Sequence, residues 1–432
     1  MRVRNASRVS LPLCGVVFIL AVLYIVATDH RTERWLESVV LAQKTTEAGK
    51  QSVPLSSAGT MPGVTLQRTR VYSVKSPNEP KTIVWKSRKL FMLRRAQSFS
   101  GEMGSLYYFG SFPTDYSYTS PIIGSDTIYF SLFVGDGYLF ALDSQTGAEK
   151  KTLKLKNASV SSLAVAGDYV FMGTSDGSIR SIDRNSWQLK WQVLRDDYRF
   201  DVTSPAVADG VLILGGARRI KQQYSRADGT LHALNAMSGE QSWMVKVEGV
   251  ASSPAVDEGN VYFADEDTNL FALDLKTGTK KWSFKAATNI RNQAVSGDRV
   301  YFSDERGDLY SVDKNTGRLV WKADKIRPVR ATVALENGVL YCSGRDNSVY
   351  AIDTNTGAER WLFETRKVCS TPVIAGSLLC FVSADRFLYA VDATTGQEKW
   401  KYKCQNEVLG SPTVTDDTIY LLDEEGYMFG LR

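Results

Sequence analysis

The chain has 432 residues, of which 43% are hydrophobic and 23% charged, and its formal net charge is +5. That balance describes a folded globular protein and excludes an intrinsically disordered one. The mild charge, with no long Lys/Arg run, argues against nucleic acid as a partner.

The first segment, residues 1–8, is MRVRNASR, with three arginines. Residues 9–28, VSLPLCGVVFILAVLYIVAT, are an uncharged run of 20. That is about the length a transmembrane helix needs. Asp29 and His30 end it. Basic residues precede the run, so the positive-inside rule puts the N-terminus in the cytoplasm and the bulk of the chain in the periplasm or an equivalent outside space. A cleaved signal peptide, cut after Ala27 with Ile25 at position −3, is the alternative. The run exceeds the usual h-region, which favours a retained anchor in the inner (cell) membrane. A lipoprotein signal is excluded, because Cys14 opens the run and follows Leu13.

Residues 29–79 read as a stalk. RTERWLESVVLAQKTTE (31–47) has the spacing of a short amphipathic helix, with Trp35, Leu36, Val39 and Val40 near the interface. The Ser/Pro/Gly-rich KQSVPLSSAGTMPGVTL that follows is a flexible spacer.

Beyond it the chain repeats itself. One unit reads GYLFALDSQTGAEKK (137–151), GSIRSIDRNSWQLKW (177–191), GTLHALNAMSGEQSW (229–243) and TNLFALDLKTGTKKW (268–282). It returns as GDLYSVDKNTGRLVW (307–321), NSVYAIDTNTGAERW (347–361) and RFLYAVDATTGQEKW (386–400). Gly239, Gly278, Gly317, Gly357 and Gly396 lie 39, 39, 40 and 39 residues apart. A second motif, two short strands about a Gly/Asp turn, precedes each copy, as in TSPIIGSDTIYF (119–130). Together they predict four strands per repeat and eight repeats, an all-β, eight-bladed β-propeller over residues 80–432 behind an N-terminal transmembrane helix.

Each unit explains its own residues. In D-x-x-T-G the Asp accepts turn amides and the Gly supplies the positive φ of a hairpin loop. Trp191, Trp243, Trp282, Trp321, Trp361 and Trp400 fall on the outer strand, where an indole wedges between blades. The last copy, GYMFGLR, stops at Arg432, where the turn Asp belongs, so blade eight lacks its outer strand. A bare strand edge invites aggregation. TIVWKSRKLFML (82–93), with Trp85 as the missing tryptophan, is predicted to close the ring.

The pattern A-x-D-x-x-T-G-x-x-x-W, here Ala272, Asp274, Thr277, Gly278 and Trp282, resembles the pyrroloquinoline-quinone-type (PQQ-like) propeller repeat. Local departures are Lys151 for the first Trp, Trp187 for a turn Gly and Asn235 for an Asp. Two branches share this repeat. The quinoprotein dehydrogenases hold a quinone and Ca²⁺ in the central channel. The BamB-type propeller of the outer-membrane β-barrel assembly machinery is a non-catalytic scaffold. The dehydrogenases typically carry an adjacent Cys–Cys pair and long insertions; this chain has neither. The resemblance therefore implies a scaffold without catalytic residues, cofactor or metal, whose partners are other envelope or membrane proteins. A quinoprotein dehydrogenase is the alternative.

Departures from the repeat mark the candidate partner-binding residues. The insertion ARRIKQQYSRAD (217–228) carries Arg218, Arg219, Lys221 and Arg226 between the second and third strands of blade three. It is either a solvated loop or a contact for a partner or lipid. Arg291 and Arg330 replace the small residue that opens an inner strand in two adjacent repeats. They either face an anion at the channel mouth or pair with neighbours such as Asp304. His232 sits where other repeats have Phe or Tyr and is read as packed. Cys342, Cys369, Cys380 and Cys404 are read as buried thiols, with a Cys369–Cys404 bridge as the alternative.

Overall fold

The computed structural model describes residues 71–72, 83–87, 90 and 116–432, less 125, 135, 157, 159, 221–222, 251, 325–332 and 416. The predicted anchor at 9–28 and the amphipathic segment at 31–47 lie outside these residues. Among the described residues no helix is long and apolar enough to cross a membrane.

Eight antiparallel sheets follow one another along the chain. Blade four shows the plain unit: Ala255–Asp257, Asn260–Ala264, Asn269–Asp274 and Lys280–Lys285, each pairing with the next. Strand pairs alone cannot bury their faces, so the apolar cores lie between blades. One cluster joins Tyr262 and Leu270 of blade four to Phe302 and Val312 of blade five. Another joins Phe130 and Leu142 of blade one to Tyr420 and Met428 of blade eight, which makes the array a closed ring.

Closure is the work of the predicted N-terminal segment. Ile83–Lys86 pairs antiparallel with Met428–Leu431 as the outer strand of blade eight. The ladder continues as Ser87 N donates to Met428 O (2.8 Å) and Leu90 N to Gly426 O (2.9 Å). Of the expected 82–93 stretch, residues 82, 88–89 and 91–93 lie outside the described set. Within the expected spacer, Val71–Tyr72 adds a fifth strand, parallel to Val373–Ala375 on the inner edge of blade seven.

A single contact repeats around the ring. The indole Nε1 of one blade donates to the carbonyl just past the turn Asp or Asn of the next. The pairs are Trp85–Ser144 (3.1 Å), Trp191–Ala236 (3.0 Å), Trp243–Leu275 (2.9 Å), Trp282–Lys314 (2.9 Å), Trp321–Thr354 (2.8 Å) and Trp361–Ala393 (3.0 Å). The same ring lies against the turn glycine: a Cβ on Gly317 would come within 2.6 Å of Trp282, and one on Gly147 within 2.1 Å of Trp85. Glycine is needed there both for its φ of 67–74° and for the indole's room. The turn itself is held as predicted: Asp313 Oδ1 accepts Asn315 N, Thr316 N and Thr316 Oγ1 at 3.1, 2.8 and 2.8 Å. Those donors, the Thr316 hydroxyl first, hold the Asp313 carboxyl below its ordinary range.

The two departures in blades one and two compensate each other. Lys151 stands opposite Ala141, where Trp282 stands opposite Ala272 in blade four. The turn it should latch carries Trp187 in place of glycine, at φ 59°. The Trp187 ring stacks on Tyr129 at 6.3 Å. In blade four the equivalent Tyr262 packs on its own blade's Trp282 at 5.9 Å. The indole is therefore supplied from the turn of blade two instead of the outer strand of blade one.

This exchange predicts non-additive stability. Trp187→Gly alone should lower the unfolding free energy by about 2 kcal/mol, since losing a half-buried indole outweighs relief of the left-handed strain. Lys151→Trp alone should overpack. The double variant should recover to within about 1 kcal/mol of the parent, with a coupling of 1–3 kcal/mol in urea titrations. Simple additivity would refute the exchange.

Candidate partner-binding surface

The insertion of blade three is a β-hairpin, not a loop. Val211–Ile220 and Gln223–Asn235 run as two long strands, paired from Val211↔Asn235 out to Ile220↔Gln223. Residues of high strand propensity on both sides, Ile220 and Tyr224 among them, let the ladder simply continue past the blade. Tyr198–Arg199 pairs alongside, Tyr198 with Arg218 and Arg199 with Ala217. Arg218 is half-exposed and its Nε lies 3.5 Å from Asp197 Oδ2. The backbones of Arg219 and Arg226 are placed in the two strands. Lys221 lies outside the described residues. The hairpin thus brings Arg218, Arg219 and Arg226 onto one projecting ribbon.

At the base of this ribbon, between blades three and four, is a cleft of about 600 Å³. Its apolar wall includes Val245, Phe263 and Phe271, and its polar groups include Arg218, Lys246 and Asp265. Asp265 is 2% exposed. Its carboxylate accepts Asn269 N (2.8 Å) and Asn269 Nδ2 (3.0 and 3.2 Å). Burial pushes its carboxyl above the ordinary range. The sequence reading passed over this cleft. The signal was present only as Val245, a small residue where Phe284 and Phe363 stand in other repeats.

The channel side is built differently from expectation. Where a Ser or Thr stands three residues before the inner strand, it staples its own blade. Ser161 Oγ accepts Gly173 N (3.0 Å), Thr203 Oγ1 accepts Gly215 N (2.9 Å) and Ser252 Oγ accepts Ala264 N (2.8 Å). Arg291 occupies that column in blade five, three residues before Ala294, which pairs with Tyr301 as Ala255 pairs with Tyr262. Arg330 precedes Ala334, the matching residue of blade six, by four, so the two arginines are one residue out of step. Arg330 itself lies outside the described residues. Asp304, one suggested partner, is taken up by Arg306 N, Asp308 N and the Tyr310 hydroxyl (3.0, 3.1 and 3.1 Å). In place of the inner-strand Pro, Gln293 Nε2 crosses to blade four and donates to Ser253 O (2.6 Å) and Tyr262 O (3.0 Å).

His232 is packed, as its slot implies. It is 1% exposed, edge-on to Phe200 at 5.1 Å, with Nε2 2.8 Å from Thr230 Oγ1. Burial pushes its imidazole down to about 4. The four described cysteines are buried free thiols, so the Cys369–Cys404 bridge is absent. Among the described residues no group of three or more His, Cys, Asp or Glu could hold a metal ion.

With this geometry in view, comparison with known proteins settles the family. A family model described as outer membrane protein assembly factor BamB matches residues 119–222, 204–324, 286–375 and 364–432. The chain belongs to this family. The solved structures similar to it include BamB from Moraxella catarrhalis, with 18% identity, a TM-score of 0.58, 73% of this chain covered and 97% of that one. They also include a quinohaemoprotein alcohol dehydrogenase from Pseudomonas putida HK5, with 14% identity, a TM-score of 0.65, 87% of this chain covered and 79% of that one. The computationally designed protein Ika8 is similar at 16% identity and a TM-score of 0.61, with 74% of this chain and 96% of that one covered. At these identities the structures show the propeller fold alone. No curated protein sequence matches the chain.

His232 gives a pH prediction. An imidazole near 4 in the fold, and near its ordinary 6.5 when unfolded, takes up a proton on unfolding below pH 6.5. Stability should fall as pH drops from 6.5 to 4, by up to about 1.4 kcal/mol per pH unit from this group. His232→Phe, which copies Phe271 of the next blade, should flatten that part of the profile in urea titrations. An unchanged profile would contradict the assignment.

Proposed function

We propose that the chain is a non-catalytic, membrane-held propeller that binds other proteins of an envelope complex. Outer-membrane protein assembly is the role the family description names, and another inner-membrane complex is the other setting. The observation that carries this reading is the family match from residue 119 to the end of the ring. It is supported by the hydroxyl column at the channel, whose members are used to staple blades. In this reading residues 9–28 anchor the chain, the N-terminus is cytoplasmic, and the propeller faces the periplasm. Partner recognition falls to the projecting hairpin, with Arg218, Arg219, Lys221 and Arg226, and to Arg291 and Arg330.

Tagged chain recovered from gently solubilised envelopes should bring membrane proteins with it. Alanine at Arg218, Arg219, Lys221 and Arg226 together should reduce that recovery at least about fivefold without moving the thermal midpoint, since surface changes cost little stability. A solitary protein in both preparations would end the platform reading.

The likeness to quinohaemoprotein alcohol dehydrogenases supplies the second reading, a quinone-dependent dehydrogenase. It requires that the purified protein, given excess quinone and Ca²⁺, acquire the quinone's absorbance band. The platform reading expects no uptake.

A further inference from the structure

The repeats provide their own standard for the cleft between blades three and four. In blade four the residue two past the tryptophan is Phe284, and its ring meets Phe302 and Tyr310 of blade five edge-on at 5.6 and 6.1 Å. Phe363 of blade six does the same to Phe381 and Tyr389 of blade seven, at 5.7 and 5.6 Å. The matching residue of blade three is Val245, opposite Leu231 as Phe284 is opposite Leu270. Beneath it the blade-four pair is Phe263 and Phe271, stacked at 5.2 Å. One ring is missing from this junction, and the cleft of about 600 Å³ lies there.

A hydroxyl is missing as well. Tyr310 donates its hydroxyl to Asp304 Oδ2 (3.1 Å), Tyr389 to Asp385 Oδ2 (2.8 Å), and Tyr350 to Asp346. Phe271 occupies that tyrosine's column, opposite Phe263 as Tyr310 is opposite Phe302. Asp265, the nearby acid, accepts the backbone N–H of Asp267 and the amide donors of Asn269, and no hydroxyl. A carboxylate has about four acceptor sites, which leaves room for one donor beyond these. Junction five to six also lacks the covering ring, having Ala323, but there Tyr350 and Asp346 satisfy each other. Only junction three to four, among those compared, lacks both ring and hydroxyl.

We propose that this cleft receives the side chain of a tyrosine from an extended segment of a partner protein, the ring over Phe271 and Phe263 and the phenol donating to Asp265. An aromatic ring with one polar tip is what the two absences describe together, and such residues dominate protein interfaces. The cleft is open along the blade junction, and Arg218 of the projecting hairpin stands at its rim. A chain lying along the hairpin can therefore present the side chain. The proposal rests on the platform reading and makes it more specific.

The test uses the full chain in lipid nanodiscs and three soluble probes: blocked Gly-Tyr-Gly, blocked Gly-Phe-Gly and 4-methylphenol, followed by ligand-observed NMR. The tyrosine peptide should bind roughly tenfold more tightly than the phenylalanine peptide, as one hydrogen bond to a charged acceptor implies. Val245→Phe, which inserts the ring that junctions four to five and six to seven carry, should abolish binding of both. Phe271→Tyr, which supplies Asp265 from within, should reduce the preference to under about threefold while leaving the phenylalanine peptide's affinity in place. Equal binding of the two peptides, binding indifferent to Val245→Phe, or no binding of the tyrosine peptide would overturn the proposal. So would binding of 4-methylphenol alone, which would make the cleft a small-phenol site. Each readout is taken on purified protein, so failure here leaves the co-purification result standing.

Discussion

The indole that crosses from one blade to the next turn is the contact on which the ring depends. A four-stranded antiparallel sheet has two faces to bury and no neighbour of its own, so blades exist only as a stack. The hydrophobic clusters between blades supply the driving force, but burial is non-directional and fixes no angle. The tryptophan does. Its ring is seated on a turn glycine, and its N–H is spent on one particular carbonyl, as at Trp282 and Lys314. Six such bonds of 2.8–3.1 Å set the blades against one another at six of the eight junctions. Because the turn is shaped by its Asp and Gly, sequence, turn and inter-blade geometry are tied in one motif.

That motif is why the fold was legible. A pattern repeated seven times in register outweighs any single ambiguous strand, and the incomplete last copy points to Trp85. Of the expected stretch, Ile83–Lys86 forms the strand opposite Met428–Leu431, and Ser87 and Leu90 carry its hydrogen bonds further along blade eight. Pairwise relations between departures were harder to read. Lys151 and Trp187 look like two separate losses in sequence; only the stacking of Trp187 on Tyr129 makes them one exchange. The site was less legible than the fold. The basic insertion was visible as extra residues, but not that the blade's own ladder runs on through it, from Val211↔Asn235 to Ile220↔Gln223. The cleft was hidden because nothing is added there: it is made by side chains that are smaller or less polar than their counterparts.

In a repeat protein, function is placed where repeats cease to agree, since agreement is already explained by the ring. Blade three departs most: it has the hairpin, His232 in an aromatic slot, and Val245 in place of a ring. These departures are adjacent. The same blade that projects a basic ribbon also leaves the next junction unfilled, and the remaining junctions supply the rigidity that holds the two in fixed relation. The channel-side hydroxyls show the contrary case, residues that look available in sequence and are used up in holding strands together.

The account's central claim is that a ring of tryptophan latches is closed by a strand from the other end of the chain. The most direct measurement is amide hydrogen exchange on Trp85→Ala beside the parent. Loss of the latch should cost about 3–5 kcal/mol. Exchange should accelerate first in Met428–Leu431 and in the Asp143–Gly147 turn of blade one, the two elements that Trp85 joins. If those amides stay as protected as in the parent while the protein remains folded, the ring is not closed by this strand, and the account is wrong.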